Sequence, residues 1–107
     1  MKWQNKVQLI GYLGKDPTIN ILPSGVYYAT LRLATNSGYT EKGKSRETLW
    51  HTIKYWGRKA EYMQNVFIKG SHVLVDGTLV YRSYQDKEGT TRHITEIKAE
   101  RLVNLDR

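Results

Sequence analysis

Two tryptophans on one predicted strand are the residues whose type and spacing most clearly indicate a chemistry. Side chains alternate between the two faces of a strand, so Trp50 and Trp56 share a face with Lys54. A core tryptophan would instead share the face of Leu49 and Ile53. Two indole rings beside an ammonium group can stack on unpaired bases, at about 1–3 kcal/mol per base, and neutralise phosphates. The alternative is that this face packs on the helix or on another subunit.

Three tyrosines in outward-facing or loop positions are expected to extend this surface: Tyr28, Tyr39 and Tyr84. A tyrosine in a loop can equally shield the loop backbone. The basic side chains that flank the aromatic positions are expected to neutralise phosphates, which makes binding depend on salt. They are Arg32, Lys42, Lys44, Lys54, Arg58, Lys69, Arg82 and Arg92. Lys15 and Lys98 are as well explained as solvated surface charges.

The composition favours a polyanionic partner and narrows the class of protein. The 107 residues include 17 Lys and Arg against 10 Asp and Glu, a net charge of +7, which favours nucleic acid before membrane. Cysteine is absent, which excludes disulfides, zinc knuckles and thiol chemistry. No apolar run approaches the roughly 18 residues that span a bilayer, and no signal-peptide core follows the N-terminus. We therefore expect a soluble, cytoplasmic protein.

An apolar period of two along most of the chain predicts an all-β fold. Five strands are expected at about 6–13, 26–35, 48–56, 72–84 and 91–101, with one helix at about 58–69. A short segment, 18–22, lies between turn residues. The order of three strands, a helix and two strands is that of the OB-fold, a five-stranded Greek-key barrel that binds oligonucleotides. We expect one such domain over residues 1–107.

The sequence offers no arrangement that indicates catalysis. The three histidines, His51, His72 and His93, are scattered along the chain, and the acidic residues are dispersed over turns and outward faces. An OB-fold nuclease is the enzymatic alternative, and it would need clustered carboxylates to hold a metal ion. We therefore expect no enzymatic activity, no metal and no cofactor.

Several segments of the chain resemble bacterial single-stranded DNA-binding proteins. They are residues 5–7, 11–17, 33–36, 47–51, 55–58, 69–71, 75–77, 81–84 and 88–96. The resemblance implies an OB-fold homotetramer that acts in DNA replication, repair and recombination. The family's base-stacking positions fall on Tyr39, Trp50, Trp56 and Tyr84. Its basic positions fall on Arg58, Lys69, Arg82 and Arg92, and a position at its subunit interface falls on His51.

Two related functions stay open at this point. A primosomal replication protein resembles a tail-less member of the same family, and a native dimer would favour that interpretation. An OB-fold module that binds RNA would bind folded RNA equally well. The flexible linker and acidic tail of the family have no counterpart in this sequence, which ends at Arg107. We therefore expect no tail-mediated recruitment of replication and repair proteins.

Overall fold

The computed structural model describes residues 4–39 and 46–106, whose elements follow the predicted order. The strands are β1 Val7–Leu13, β2 Thr18–Ile21, β3 Tyr27–Tyr39, β4 Arg46–Trp56, β5 His72–Gln85 and β6 Thr91–Asn104. A 3₁₀ segment, Arg58–Tyr62, and the single-turn helix α1, Met63–Val66, connect β4 to β5. The five predicted strands are confirmed, and the segment 18–22 adds a short sixth strand, β2. Among the described residues, no helix is long and apolar enough to cross a membrane.

The strands form one sheet that closes on itself. Their order is β1-β5-β6-β4-β3-β2, and β1 also pairs with β3. The pairing of β4 with β6 is parallel, with Ile53 opposite Ile97, and the other pairs are antiparallel. β1 runs beside β5 from Val7 to Tyr12 and reaches β3 at Tyr12 and Leu13. This closed arrangement confirms the predicted OB-fold class.

Alternate apolar side chains line the barrel interior, as the period of two predicts. The buried core consists of Leu13, Ala29, Leu31, Leu33, Ile53, Ala60, Met63, Phe67, Val73, Val75, Ile97 and Ala99. Burial of each large apolar side chain contributes about 1.5–3 kcal/mol. Side chains alternate along a strand, so the residues that lie between the core residues of β3 and β4 must face outward.

The helical connection is shorter than predicted. The predicted helix continues past Phe67, but the backbone there is extended, with φ −126° and ψ 143°. The Phe67 N–H donates to the Met63 carbonyl oxygen at 2.9 Å and closes the last helical turn. The Ile68 N–H then donates to the Ser71 hydroxyl, and Gly70 adopts φ 90°. A tight turn therefore replaces the end of the predicted helix, and the Phe67 ring enters the core, where it is 1% exposed.

Two glycines permit close approaches between strands that close the barrel. A Cβ atom on Gly11 would lie 2.2 Å from the Ala34 carbonyl oxygen of β3. A Cβ atom on Gly77 would lie 2.2 Å from the Lys98 carbonyl oxygen of β6. Gly77 also follows a shift of register between β5 and β6. A glycine inside a strand often marks such a bend or backbone approach, and here both serve the closure of the sheet.

We expect Gly77→Ala to lower the free energy of unfolding by about 1–3 kcal/mol, because the added methyl group must displace the β6 backbone. Urea unfolding followed by circular dichroism measures the change. Ser83→Ala is the matched control, since Ser83 lies on the same strand with an exposed side chain, and its effect should stay within about 0.5 kcal/mol. Equal stability of Gly77→Ala and the wild type would contradict the close approach.

Candidate nucleic-acid interface

The pairing of β3 with β4 builds an aromatic and basic face on the outside of the barrel. Its paired positions, which we call the aromatic face, are Tyr28 with Trp56, Thr30 with Lys54, Arg32 with Thr52, and Ala34 with Trp50. Trp50 is 50% exposed and Trp56 is 39% exposed, whereas Ile53 on the inner face of β4 is fully buried. The strand faces predicted for the two tryptophans are therefore confirmed.

A stacked pair of rings forms one end of the aromatic face. The ring centroids of Tyr28 and Trp56 lie 4.5 Å apart, with 29° between the ring planes. The Lys54 ammonium nitrogen lies 5.2 Å from the Tyr28 ring centroid, within the range of a cation–π interaction. The Trp56 ring is therefore held by a second ring, and a cation lies next to the pair.

Trp50 forms the other end of the aromatic face. The guanidinium carbon of Arg32 lies 5.6 Å from the Trp50 ring centroid, and Arg32 Nη1 donates to the Thr52 hydroxyl at 2.9 Å. A Cβ atom on Gly14 would lie 2.5 Å from Trp50 Cζ3, so the absence of a side chain there leaves room for the indole. Lys15 lines a shallow hollow with Arg32 and Trp50. Both ends of the face thus combine an indole with cations.

A groove of about 440 Å³ extends from the stacked pair across β4 to β6 and β5. This central groove is lined by Leu22, Tyr28, Lys54, Trp56, Val80, Arg82, Glu96, Ile97 and Lys98. Sites that bind ligands commonly combine apolar walls with a few placed polar groups. Flat rings, aliphatic walls and cations together suit a ligand that carries both planar rings and negative charge.

A buried carboxylate occupies the central groove. Arg82 donates from Nε and Nη2 to the two carboxylate oxygens of Glu96, each at 3.0 Å, and Lys54 Nζ lies 3.2 Å from Glu96 Oε2. The Arg82 hydrogen bonds, followed by the Lys54 contact, hold the pKa of Glu96 below its ordinary value against the opposing effect of burial. The same contact raises the pKa of Arg82. Glu96 is therefore ionised at neutral pH, and its two partners leave the cluster with a net positive charge.

Comparison with known proteins identifies the family of this chain. The sequence model of the Single-strand binding protein family matches residues 4–105. The chain belongs to this family. It is also 38% identical over 104 residues to Single-stranded DNA-binding protein 1 of Xylella fastidiosa (strain 9a5c), and this match covers 94% of the chain and 76% of that protein. The family resemblance of the sequence motifs is therefore confirmed.

Other site residues predicted for this family member lie outside the central groove. Arg58 is exposed in the 3₁₀ segment, and Lys69 is exposed in the turn after α1. Tyr84 is 48% exposed and lies opposite Arg92 near the tip of the β5–β6 hairpin. Arg92 Nε donates to Asp86 at 3.0 Å. The structure thus places these groups on the connection and the hairpin that flank the barrel.

Three further predicted residues lie at the end of β3 or between β3 and β4 in the sequence. Tyr39 is the last residue of β3, and its backbone lies opposite Arg46 of β4. Only this backbone position is described for Tyr39. Lys42 and Lys44 lie outside the described residues. The roles of these three residues in binding stay predictions.

The beginning of β4 is less buried than its alternation predicts. Leu49 is 43% exposed, although it shares the inner face of β4 with Ile53. The reason is that β4 pairs with β6 only near Ile53, so the earlier part of β4 extends beyond the core.

His51 is half-buried, and its Nε2 lies 2.8 Å from the Thr35 hydroxyl. Burial, followed by the charge of Arg32, lowers the pKa of His51, so its imidazole is neutral at pH 7.

Three charged residues near the aromatic face are not predicted by the sequence. Lys98 and Glu96 line the central groove, and Lys15 lies beside Trp50. The pattern of β6 leaves Lys98 among the solvated charges, because nothing local indicates that it lies opposite Lys54 of β4. Glu96 lies on the outward face of β6, as expected for the acidic residues, but its neighbours leave it only 7% exposed, which the sequence does not indicate. One signal in the sequence could have linked two of these residues. Glu96 and Lys98 are two residues apart, so they share a face of β6.

The described residues offer binding groups and no metal-holding cluster. Within residues 4–39 and 46–106, no group of three or more His, Cys, Asp or Glu side chains could hold a metal ion. The carboxylates of Asp76, Asp86 and Glu96 each contact a basic side chain. The exposed rings and cations of the aromatic face are suited to ring stacking and charge neutralisation.

Acid should destabilise the barrel partly through Glu96. The pKa of Glu96 is lower in the folded protein than in the unfolded chain. The ionised Glu96 therefore stabilises the fold fully at pH values above the ordinary carboxyl pKa. This stabilisation is lost as the pH falls through the pKa of Glu96 in the folded protein. We expect Glu96→Gln to lower the free energy of unfolding by about 1–2 kcal/mol at neutral pH and to flatten its pH dependence below about pH 5. Urea unfolding across this pH range measures both effects. Parallel pH curves for variant and wild type would show that Glu96 makes no such contribution.

Proposed function

We propose that this protein binds and protects single-stranded DNA, without sequence preference, in DNA replication, repair and recombination. The observation that carries the proposal is the exposure of Trp50 and Trp56, at 50% and 39%, on one face of the barrel, with cations beside both. Membership of the single-strand binding protein family supports it, as does similarity to a relative named Single-stranded DNA-binding protein 1.

Ring stacking is the proposed source of affinity for the bases. Trp50 and Trp56 each accept a base, and Tyr28 supports Trp56 from its other side. Tyr39 and Tyr84 extend the path of the strand beyond the barrel face. Every base has a π-face, so stacking reads no hydrogen-bond pattern and tolerates any sequence.

Neutralisation of phosphates is the proposed second source of affinity. The proposed phosphate partners at the site are Arg32, beside Trp50, and Lys54, Arg82 and Lys98, in the central groove. The strand is proposed to continue over basic residues that flank these positions: Lys42, Lys44, Arg58, Lys69 and Arg92. Each neutralised phosphate makes the slope of log affinity against log salt more negative by about 0.7.

The preference for single strands over duplexes follows from which base surfaces are open. In a duplex each base is covered by its stacked neighbours, so the indoles of Trp50 and Trp56 have no base face to contact. Only the attraction between phosphates and basic side chains then remains, and that attraction falls steeply with salt. A single strand exposes its base faces, so it gains both the stacking on the indoles and the attraction of its phosphates to basic side chains.

The proposal extends to the form of the protein. We propose a non-catalytic OB-fold domain over residues 1–107 that acts in the cytoplasm without a cofactor. We also propose a homotetramer with His51 at a subunit interface. Exposed apolar side chains support self-association, since Leu49 near His51 is 43% exposed, and Ile10 and Tyr12 on β1 are 53% and 54% exposed. Such groups often mark protein interfaces.

We expect Trp50→Ala and Trp56→Ala each to weaken binding of a thymidine oligonucleotide about 5- to 150-fold, which corresponds to about 1–3 kcal/mol of stacking. Titration of the intrinsic tryptophan fluorescence measures the affinity. In the wild type, the single strand should quench the fluorescence strongly at moderate salt, and a duplex of equal length should quench it far less.

Tyr62→Ala is the matched control for these substitutions. Tyr62 is an aromatic side chain with 52% exposure on the 3₁₀ segment and is not part of the groove lining, so its removal should leave binding within about twofold of the wild type. Weak quenching with similar affinity for single strand and duplex, lost at high salt, would contradict the proposed stacking and leave only a basic surface.

We expect Lys98→Ala to make the salt slope shallower by about 0.7, because one phosphate contact in the central groove is lost. Oligonucleotide titrations at several salt concentrations measure the slope. Lys6→Ala is the control with the same charge change, since Lys6 contacts Asp76 at 3.5 Å and lies outside the groove lining. An identical change of slope in both variants would mean that only overall charge matters.

A further inference from the structure

An acidic side chain lies where a polyanion is proposed to bind. Among the described residues, Glu96 and Ser71 are the buried polar or charged side chains, and Glu96 is 7% exposed. Glu96 is also the one carboxylate among the side chains that line the central groove in the described part of the chain. A negative charge at this position repels phosphate, so its presence requires a compensating role.

The contacts of Glu96 join three neighbouring strands. β6, which carries Glu96, lies between β5 and β4 in the sheet. From β5, Arg82 donates two hydrogen bonds of 3.0 Å to the carboxylate. From β4, Lys54 Nζ lies 3.2 Å from the same carboxylate. A two-bond contact with a carboxylate fixes the plane of a guanidinium group, so Glu96 orients Arg82 and tethers Lys54 at the same time.

The tethered cations still present donors to the groove. Arg82 uses Nε and Nη2 for Glu96, which leaves Nη1 on a side chain that is 46% exposed. Lys54 lies 5.2 Å from the centroid of the Tyr28 ring, which stacks on Trp56. Glu96 is therefore linked through Lys54 to the ring pair and through Arg82 to the opposite wall of the central groove.

We propose that Glu96 is a positioning residue that holds Arg82 and Lys54 ready to receive a phosphate beside the Tyr28–Trp56 pair. This inference rests on the proposed function. Long side chains lose rotamer freedom when they are immobilised by a ligand, and a cation that is already held avoids much of this loss. The repulsion between Glu96 and phosphate is reduced because both cations are more exposed than the carboxylate, at 46% and 18% against 9% of the side chain.

Two substitutions separate the position of the carboxylate from its charge. Glu96→Asp keeps the charge but withdraws the carboxylate by one methylene group, and Glu96→Gln keeps the size but removes the negative charge. If Glu96 positions the cations, both variants should bind a thymidine oligonucleotide about 3- to 10-fold more weakly, although neither reduces the positive charge of the face. The salt slope should remain at least as steep as in the wild type, because Arg82 and Lys54 are retained.

Two results would overturn this role. Tighter binding by Glu96→Gln would show that the carboxylate acts only by repelling the strand. Wild-type affinity in Glu96→Asp would show that its position is unimportant. Fluorescence titrations are made below the melting temperature of every variant, as determined by circular dichroism, so that loss of fold is not read as loss of binding.

Asp76→Asn is the matched control for Glu96→Gln. Asp76 also accepts two hydrogen bonds from an arginine, Arg101, at 3.1 and 2.9 Å, but it contacts Gln8 of β1 and does not line the central groove. The control makes the same change of net charge and should not weaken binding. If the wild type itself fails to bind the oligonucleotide, the proposed function fails. If the wild type binds and both Glu96 variants match it, only the role of Glu96 fails.

Discussion

β1 pairs with β5 along most of its length and with β3 at its end, and this double pairing turns an open sheet into a barrel. An open sheet would leave a row of unpaired backbone groups on each edge strand. Gly11 permits the crossing, because any larger residue would collide with the Ala34 carbonyl oxygen of β3. Once the barrel is closed, each strand has one face in the core and one in solvent. The exposed position of Trp50 and Trp56 is therefore a consequence of closure.

The parts of the structure that depend on local alternation could be predicted from the sequence. Leu31 and Leu33 mark the inner face of β3 as clearly as Trp50 and Trp56 mark the outer face of β4, and the buried and exposed sets agree with both assignments. The succession of strands along the chain also follows from the turns and the single helical connection. The stacking of Tyr28 on Trp56 needs more information than alternation, because it depends on the register in which β3 pairs with β4.

The parts that depend on contacts between distant strands could not be predicted. Glu96 meets Arg82 and Lys54 only because β6 lies between β5 and β4, and no local pattern specifies that order. The exposure of Leu49 has the same origin, since the alternation of β4 cannot show where its neighbour β6 ends its pairing. The early end of the helix at Val66 depends on a core that must accommodate Phe67. In each case a tertiary contact overrides the local signal.

The contact between Tyr28 and Trp56 also limits stoichiometry. Because the tyrosine ring covers one side of the indole at 4.5 Å, a base can approach Trp56 only from the other side. An indole with one covered side cannot be sandwiched between two bases, so under the proposed stacking Trp56 would accept a single base however long the strand is. The nucleotides on either side of that base must then find other partners along the chain. The number of bases that the surface can stack is therefore set by the number of separate aromatic rings. A long continuous stack of bases and rings cannot form through Trp56.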